Sequence, residues 1–424
     1  MYSLYIVTDW GLIRPVNNRP FRWLWTATAS GALGEGISLS ALPLIMASLT
    51  RDPLLVALLQ TAAALPWALF GLQAGALADR WDRARVLFLA DIARAALAAA
   101  LGLIILLGLV HVTLLLAMAF TTSVATVMFR AADAALLPSL VTRTELPRAN
   151  GRLKAGETIT GSFVGPGLGA AIFVLSHSAP ALIQAAAFAI SALCLQRLPR
   201  RQEPRPSSGL ALRAEVAEGL HHLWTDRTLR ALAGATTLQG AGTWMLMAVL
   251  VLYSLETLHA PPVAYGVLIT AYAAGSLLGA AVTAAVQARL GARLALTAAA
   301  LIAGFSVISL ALTRTVAVAA TAMFILGVAA MTLSIIAVTL RQQRTPEHLL
   351  GRVAGAFGVL NVASAPVVAP ISGLIGVHFG LPAALAVAGT CIFAAAPLLA
   401  GGINPAPEPP PEPDPQPAPR PDHP

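Results

Sequence analysis

Twelve stretches of this chain are apolar for long enough to cross a hydrocarbon core about 30 Å thick, and they leave room for little else. They run over 23–48, 54–78, 86–110, 113–133, 154–176 and 179–196, and, after a polar break, over 230–255, 264–287, 292–313, 316–340, 353–378 and 382–401. Hydrophobic residues are 57% of the 424, about 242, while twelve helices of about 20 residues need about 240. Charged residues are 11%, too few to coat a water-facing surface on a chain this long. The expectation is an all-α integral membrane protein with twelve transmembrane helices, which argues against a soluble enzyme.

The net charge of +8 would suggest nucleic acid if it sat on a soluble face. Its placement points elsewhere. Of 27 basic residues, only Arg51 and Arg314 fall in loops expected outside, and Arg94 and Arg130 lie within spans. The others gather at the termini and around the loops that follow even-numbered spans. This is the positive-inside pattern of a multi-pass protein with both termini in the cytoplasm, and it removes the case for nucleic acid. Lys154, the single lysine, is followed by Ala155, so the Gly-Lys-Ser/Thr phosphate loop is missing and ATP is not expected as a partner. Cys194 and Cys391 sit in apolar runs and the eight histidines are scattered, so neither a metal site nor a disulfide framework is expected. With 26 arginines to one lysine and abundant alanine, the composition reads as that of a GC-rich bacterial genome.

Five regions are expected: a cytoplasmic N-terminus (1–22), a six-helix bundle (23–196), a cytoplasmic linker (197–229), a second six-helix bundle (230–401) and a Pro-rich, acidic, disordered cytoplasmic tail (402–424). In the linker, Leu212, Val216, Leu220, Leu223 and Trp224 form one stripe opposite Arg213, Glu215 and Glu218. That pattern fits an amphipathic helix on the inner membrane surface and equally a solvated linker helix. The order Arg143-Thr144, Gly151-Arg152, Pro166-x-x-Gly169 recurs about 200 residues later as Arg344-Thr345, Gly351-Arg352, Pro370-x-x-Gly373. Three echoes in one order argue for two six-helix halves related by a parallel repeat, with a substrate path between them.

Between spans 2 and 3 the chain reads Gly75-Ala-Leu-Ala-Asp79-Arg80-Trp-Asp82-Arg83-Ala84-Arg85. This resembles the G-x-x-x-D-R/K-x-G-R-R/K loop of the major facilitator superfamily at Gly75, Asp79, Arg80 and Arg83, and departs from it at Asp82 and Ala84. Asp79, at the inner end of span 2, can pair with arginines and with a helix terminus, a charged clasp suited to holding the cytoplasmic side shut. A topology anchor without gating is the plainer alternative. In span 5, Gly161-x-x-x-Gly165-Pro166-x-x-Gly169-Ala170 resembles the G-x-x-x-G-P-x-x-G-G motif of the drug:proton antiporter branch, short only of the last glycine. Small residues four apart let helices approach closely, and Pro166 removes a backbone hydrogen bond so that the helix can bend. The resemblance implies a segment that seals or pivots the two halves; ordinary small-residue packing, as at Gly71/Gly75 and Gly275/Gly279, is the plainer reading.

Ionisable groups inside a membrane are costly and mark function. Glu35 lies about 12 residues into span 1, about 18 Å at 1.5 Å per residue and hence near the midplane, in a position to bind and release a proton. The run from Ser30 to Gly36 also resembles the Gly-rich first helix of that efflux branch. Asp91, Arg94, Arg130, Asp133 and Glu157 gather nearer the inner surface, where Arg94 and Arg130 can pair with Asp91, Asp79 or Glu157 as a charge relay or as static ion pairs. The second half offers only polar groups deep in its spans, among them Gln239, Thr243 and Asn361, as a cavity lining; Trp25, Trp67, Phe70 and Trp244 are candidate aromatic lining.

The resemblance spans residues 20 to about 401 and is nearest to exporters of the siderophore, macrolide and multidrug type. It implies proton-coupled antiport of a small amphipathic molecule by alternating access, as a monomer in the lipid bilayer, with the proton gradient as energy source and no cofactor. An importer of a small nutrient and a non-transporting membrane scaffold stay open as alternatives.

Overall fold

The computed structural model describes residues 19–78, 82–133, 136–137, 140–141, 145–198, 221–346 and 349–403. Asp79, Arg80, most of the linker stripe and the tail 404–424 lie outside these. The first half holds α1 (Arg19–Leu49), α2 (Pro53–Ala78), α3 (Arg83–Leu106), α4 (Val112–Asp133), a three-piece α5 (Leu146–Glu157, π-helical Thr158–Val164, Gly165–Leu175) and α6 (Ala179–Leu195). The second half holds α7 (Arg227–Leu252, closed by the π-helical Tyr253–Thr257) and a helix Pro262–Leu312 that breaks at Gly291 into α8 (262–290) and α9 (292–312). It ends with α10 (Val316–Arg344), α11 (Leu350–Phe379) and a two-piece α12 (Leu381–Phe393, Ala395–Gly402).

Ten helices among the described residues are long and apolar enough to cross a membrane; one of them is the broken Pro262–Leu312, and Ala179–Leu195 is a shorter apolar helix beside them. Each of the twelve apolar runs thus has a helical counterpart. The ends differ where polar residues extend a helix past its apolar stretch. α1 starts at Arg19, α5 at Leu146 and α10 runs on to Arg344, because a helix end in the headgroup layer tolerates charge that its middle does not.

Aspartates set several starts. Asp52 accepts the Leu54 amide at 2.8 Å ahead of Pro53, and Asp82 accepts the Arg85 amide at 3.0 Å ahead of α3. Asp226 does the same for α7, accepting the Leu229 amide at 2.9 Å. Asp82, the departure from the superfamily loop, therefore serves as an N-cap with φ −60°. Gly291 stands in the corresponding loop of the second half with φ 72°, a conformation that a residue with a Cβ adopts only under strain.

The outer surface of the bundle is apolar: Leu175 is 86% exposed, Leu312 81% and Phe379 77%. Such side chains would be a liability in water and are at home in lipid. Within the first half, α1 packs on α5 and α6, α3 on α4 and α6, and α2 on α4; the halves meet where α2 lies against α11 and α5 against α8. Adding six to one pair gives the other, as a parallel repeat requires. At the end opposite the chain termini, one apolar core runs through both halves, with Ile45, Phe173, Leu250, Leu268 and Leu381 among its members. At the terminal end each half has its own: Phe21, Leu87, Phe129 and Leu195 in the first, Leu232, Leu296, Ile336 and Leu399 in the second. Among the described residues the apolar core thus joins the halves at the far end and divides between them at the terminal end.

Candidate functional site

Glycines bring the pieces of the site together. Gly36 of α1 faces Gly161 of α5 so closely that a methyl group on Gly36 would lie 2.2 Å from the Gly161 carbonyl oxygen. One on Gly165 would lie 2.6 Å from Gly36 Cα, and one on Gly169 2.6 Å from the Ile37 oxygen. On the neighbouring face of α1, a methyl on Gly34 would lie 3.2 Å from the ring of Phe188 in α6. The span-5 motif is thus the seat on which α1 rests. Just before Pro166 the helix widens into its π-helical stretch, where the Gly165 amide reaches back five residues to Thr160. Close packing itself is not special to this motif. A methyl on Gly275 would lie 1.9 Å from the Phe324 oxygen, so that pair of glycines too is a helix crossing, whereas Gly71 has open space. What sets the α5 motif apart is a tight crossing combined with a π-helical stretch and a proline.

Gly36→Ala is therefore expected to lower the thermal unfolding temperature in detergent, by the roughly 1–3 kcal/mol that overpacking costs. Gly71→Ala, in a helix with nothing within 4 Å, should be neutral or gain up to about 1 kcal/mol in helix propensity. If both changes moved the transition in the same direction, the crossing would not be the tight contact its geometry describes.

Glu35, held at mid-length of α1, is the centre of a chain of six alternating charges. Arg94 Nη2 donates to Asp91 and Arg94 Nη1 to Glu35 Oε1 at 2.7 Å. Arg130 Nη2 donates to Glu35 Oε2 at 2.6 Å and Nη1 to Glu157 Oε1 at 2.6 Å; Lys154 Nζ completes the chain on Glu157 Oε2 at 3.0 Å. Three acids and three bases balance. The Arg94 and Asp91 side chains are fully buried, whereas Glu35 is 29% exposed. A buried guanidinium needs counter-charge, hydrogen bonds and a polarisable lining. Arg94 has all three, its plane lying between the rings of Phe129 (4.1 Å) and Phe188 (4.5 Å). Its Nε and the Asp91 Oδ2 are left without partners among the described residues. Asp133, the last residue of α4, makes no ion pair with this chain among the described residues.

The sequence-based candidates distribute unevenly over this geometry. Glu35, Asp91, Arg94, Arg130 and Glu157 come together: Arg94 with Asp91 and Arg130 with Glu157 are among the pairings the sequence offers, whereas the binding of both arginines to Glu35 is not. The readable signal was depth, since Glu35 is residue 17 of 31 in α1 and Arg94 residue 12 of 24 in α3, so both sit near the middle of their helices. Phe129 and Phe188 were missed because aromatics are common in apolar spans. Gly75 lies in α2, Asp79 and Arg80 fall outside the described residues, and Arg83 opens α3 about 16 Å along the helix from Arg94, so Arg83 is not a member of the charge chain.

A cavity of about 530 Å³ is lined by the second half, among others by Gln239, Thr243 and Asn361, as expected, with Trp244 beside them. Trp25 is a correction: its indole Nε1 donates to the Arg152 carbonyl at 3.1 Å, fastening α1 to the start of α5, and it is not part of this lining. Trp67 and Phe70 are also absent from the lining, being 36% and 40% exposed on α2. Arg341 is a second correction. The apolar run ends at 340, but α10 continues to Arg344 and carries Arg341 into the cavity wall.

A sequence profile described as "transmembrane secretion effector", one of the major facilitator profiles, matches residues 11–406. The chain belongs to the major facilitator superfamily. Within it, the multidrug efflux pump Tap of Mycobacterium tuberculosis is 26% identical over 379 residues, covering 86% of this chain and 90% of that one. Macrolide efflux protein A of Streptococcus pyogenes is 23% identical over 262 residues, 61% of this chain and 64% of that one. The solved structure of a variant of the nucleoside transporter NupG superposes with a TM-score of 0.74 at 13% identity, over 90% of this chain and 98% of that one. The superfamily, the membrane-spanning helices and these relatives make the protein a multi-pass membrane transporter of small molecules.

Proposed function

We propose that the protein is a proton-coupled exporter of the bacterial plasma membrane, moving a small amphipathic compound outward by alternating access, as a monomer and without ATP. The observation that carries this reading is the balanced charge chain centred on Glu35, halfway through α1. One proton added to Glu35 leaves Arg94 and Arg130 with one carboxylate each and the chain with a net positive charge. The pairing must then rearrange, and a change of pairing that depends on one proton is what couples a gradient to a two-state element. Two relatives named as efflux proteins support outward transport. The arginine distribution supports cytoplasmic termini, which puts the end where the apolar core divides on the cytoplasmic side.

Tetracycline, an amphipathic aromatic compound with its own fluorescence, serves as the probe. In proteoliposomes an imposed pH gradient alone should concentrate it on the acidic side, and a protonophore should release it. Movement that ignores the pH gradient would refute proton coupling.

A further inference from the structure

Several cations on or near the spans have carboxylate partners. Arg94, Arg130 and Lys154 are tied into the Glu35 chain, Arg51 lies 3.9 Å from Glu256, and Arg344 lies 3.8 Å from Asp226. Arg341 differs. It lines the cavity, its guanidinium stacks 4.9 Å above the ring of Phe357, and no carboxylate lies within ion-pair distance of it among the described residues. The rest of the wall contains neither aspartate nor glutamate; its polar groups are neutral hydroxyls and amides, and Trp244 and Tyr272 supply aromatic surface. A guanidinium in a partly enclosed, acid-free wall is a recognition element for an oxyanion, and its planar fork matches a carboxylate or a phosphate oxygen pair.

The register on the helices sets the length of the ligand. Ser334 and Arg341, both on the wall, are seven residues apart on one face of α10, about 10 Å. Asn361 Nδ2 donates to the Thr236 carbonyl at 3.3 Å, which turns the amide oxygen of Asn361 to other use and fixes the side chain in the wall. A ligand that places an anionic group on Arg341 therefore extends its body about two helical turns inward, over neutral polar groups and onto Trp244.

We propose that this cavity selects substrates with one anionic group, a carboxylate, sulfonate or phosphate, on an aromatic body, with Arg341 as the anion contact. The proposal rests on the reading of the protein as an exporter whose substrate occupies this cavity. A matched pair of probes tests it: 1-naphthaleneacetate and its primary amide, titrated calorimetrically into the purified full-length protein in detergent. The two differ in charge and share a body. The acid should bind wild type at least about tenfold tighter than the amide, the size expected of a charge-assisted hydrogen bond. Arg341→Gln should abolish that preference while unfolding at the wild-type temperature, since Arg341 holds no ion pair, and Arg341→Lys should keep part of it. Equal affinities for the pair, undetectable binding of the acid, or a preference that survives Arg341→Gln would each overturn the proposal. Tetracycline transport by the same preparation separates the two readings. If transport follows the pH gradient while the acid and amide bind alike, only the anion selectivity falls.

Discussion

Glu35→Gln should reduce pH-gradient-driven tetracycline transport to the level of protein-free liposomes while leaving a folded protein. Glutamine keeps the shape of glutamate and can still accept a hydrogen bond from Arg94 or Arg130, so α1 keeps its place between α5 and α6. It cannot be ionised, so the one-proton change in the charge chain no longer exists. Folding survives because each arginine retains another carboxylate, Asp91 for Arg94 and Glu157 for Arg130. The choice of Glu35 over Asp91 as the proton carrier rests on access: Glu35 is 29% exposed and Asp91 fully buried. Concentration of the probe by the glutamine variant at the wild-type rate would remove Glu35 from the coupling step.

Arg94→Met is expected to have the opposite character, a large loss of stability. The change leaves Asp91 as an uncompensated buried carboxylate, which typically costs about 3–5 kcal/mol, and it removes a cation stacked between two rings. Against a total stability of about 5–15 kcal/mol this is enough to deplete the folded population. Arg94→Lys should recover only part of the loss, since a single ammonium cannot bridge two carboxylates and stack in a plane at once. Combining Arg94→Met with Asp91→Asn should recover more, because the stranded charge is gone. Yield and thermal unfolding in detergent measure both effects. An Arg94→Met protein that unfolds at the wild-type temperature would show that the pair is idle. One cluster would thus contain a partner that is needed for stability and a partner that is needed for transport, told apart by burial.

Much of the architecture was legible because in lipid the sequence pattern is simple. Apolar length specifies spans, arginines specify loops, and an echo at an offset of about 200 residues specifies a repeat. The candidate residues could be named one by one for the same reason, since few ionisable groups occur within the spans. Partners were harder to read. That Glu35 binds both arginines depends on the azimuth of each residue around its helix and on how closely Gly34 and Gly36 let α5 and α6 approach, and neither is printed in composition. Arg341 was lost at a boundary: hydropathy ends α10 at 340, while the helix runs on for another turn. The echo itself proved less literal than it reads. Gly169 packs on Ile37 and Ser40 of its own half, whereas Gly373 packs on Pro53 and Leu54 of the other, so matching letters in the two halves face different neighbours.

Two of the places where the halves touch, α5 on α8 and α2 on α11, are made of very small residues. Gly266 lies against Ala170 and the Pro166 carbonyl, and Gly373 against Ala57 and the backbone of Pro53 and Leu54. Such a seam brings backbones close while hiding little side-chain surface from solvent. At these two crossings adhesion is low for the tightness, whereas the apolar core at the far end, with Ile45, Phe173, Leu250 and Leu268, holds the halves by side-chain burial. Alternating access, as proposed, would separate these two crossings once in every turnover, and residues that fit closely and hold weakly suit that demand.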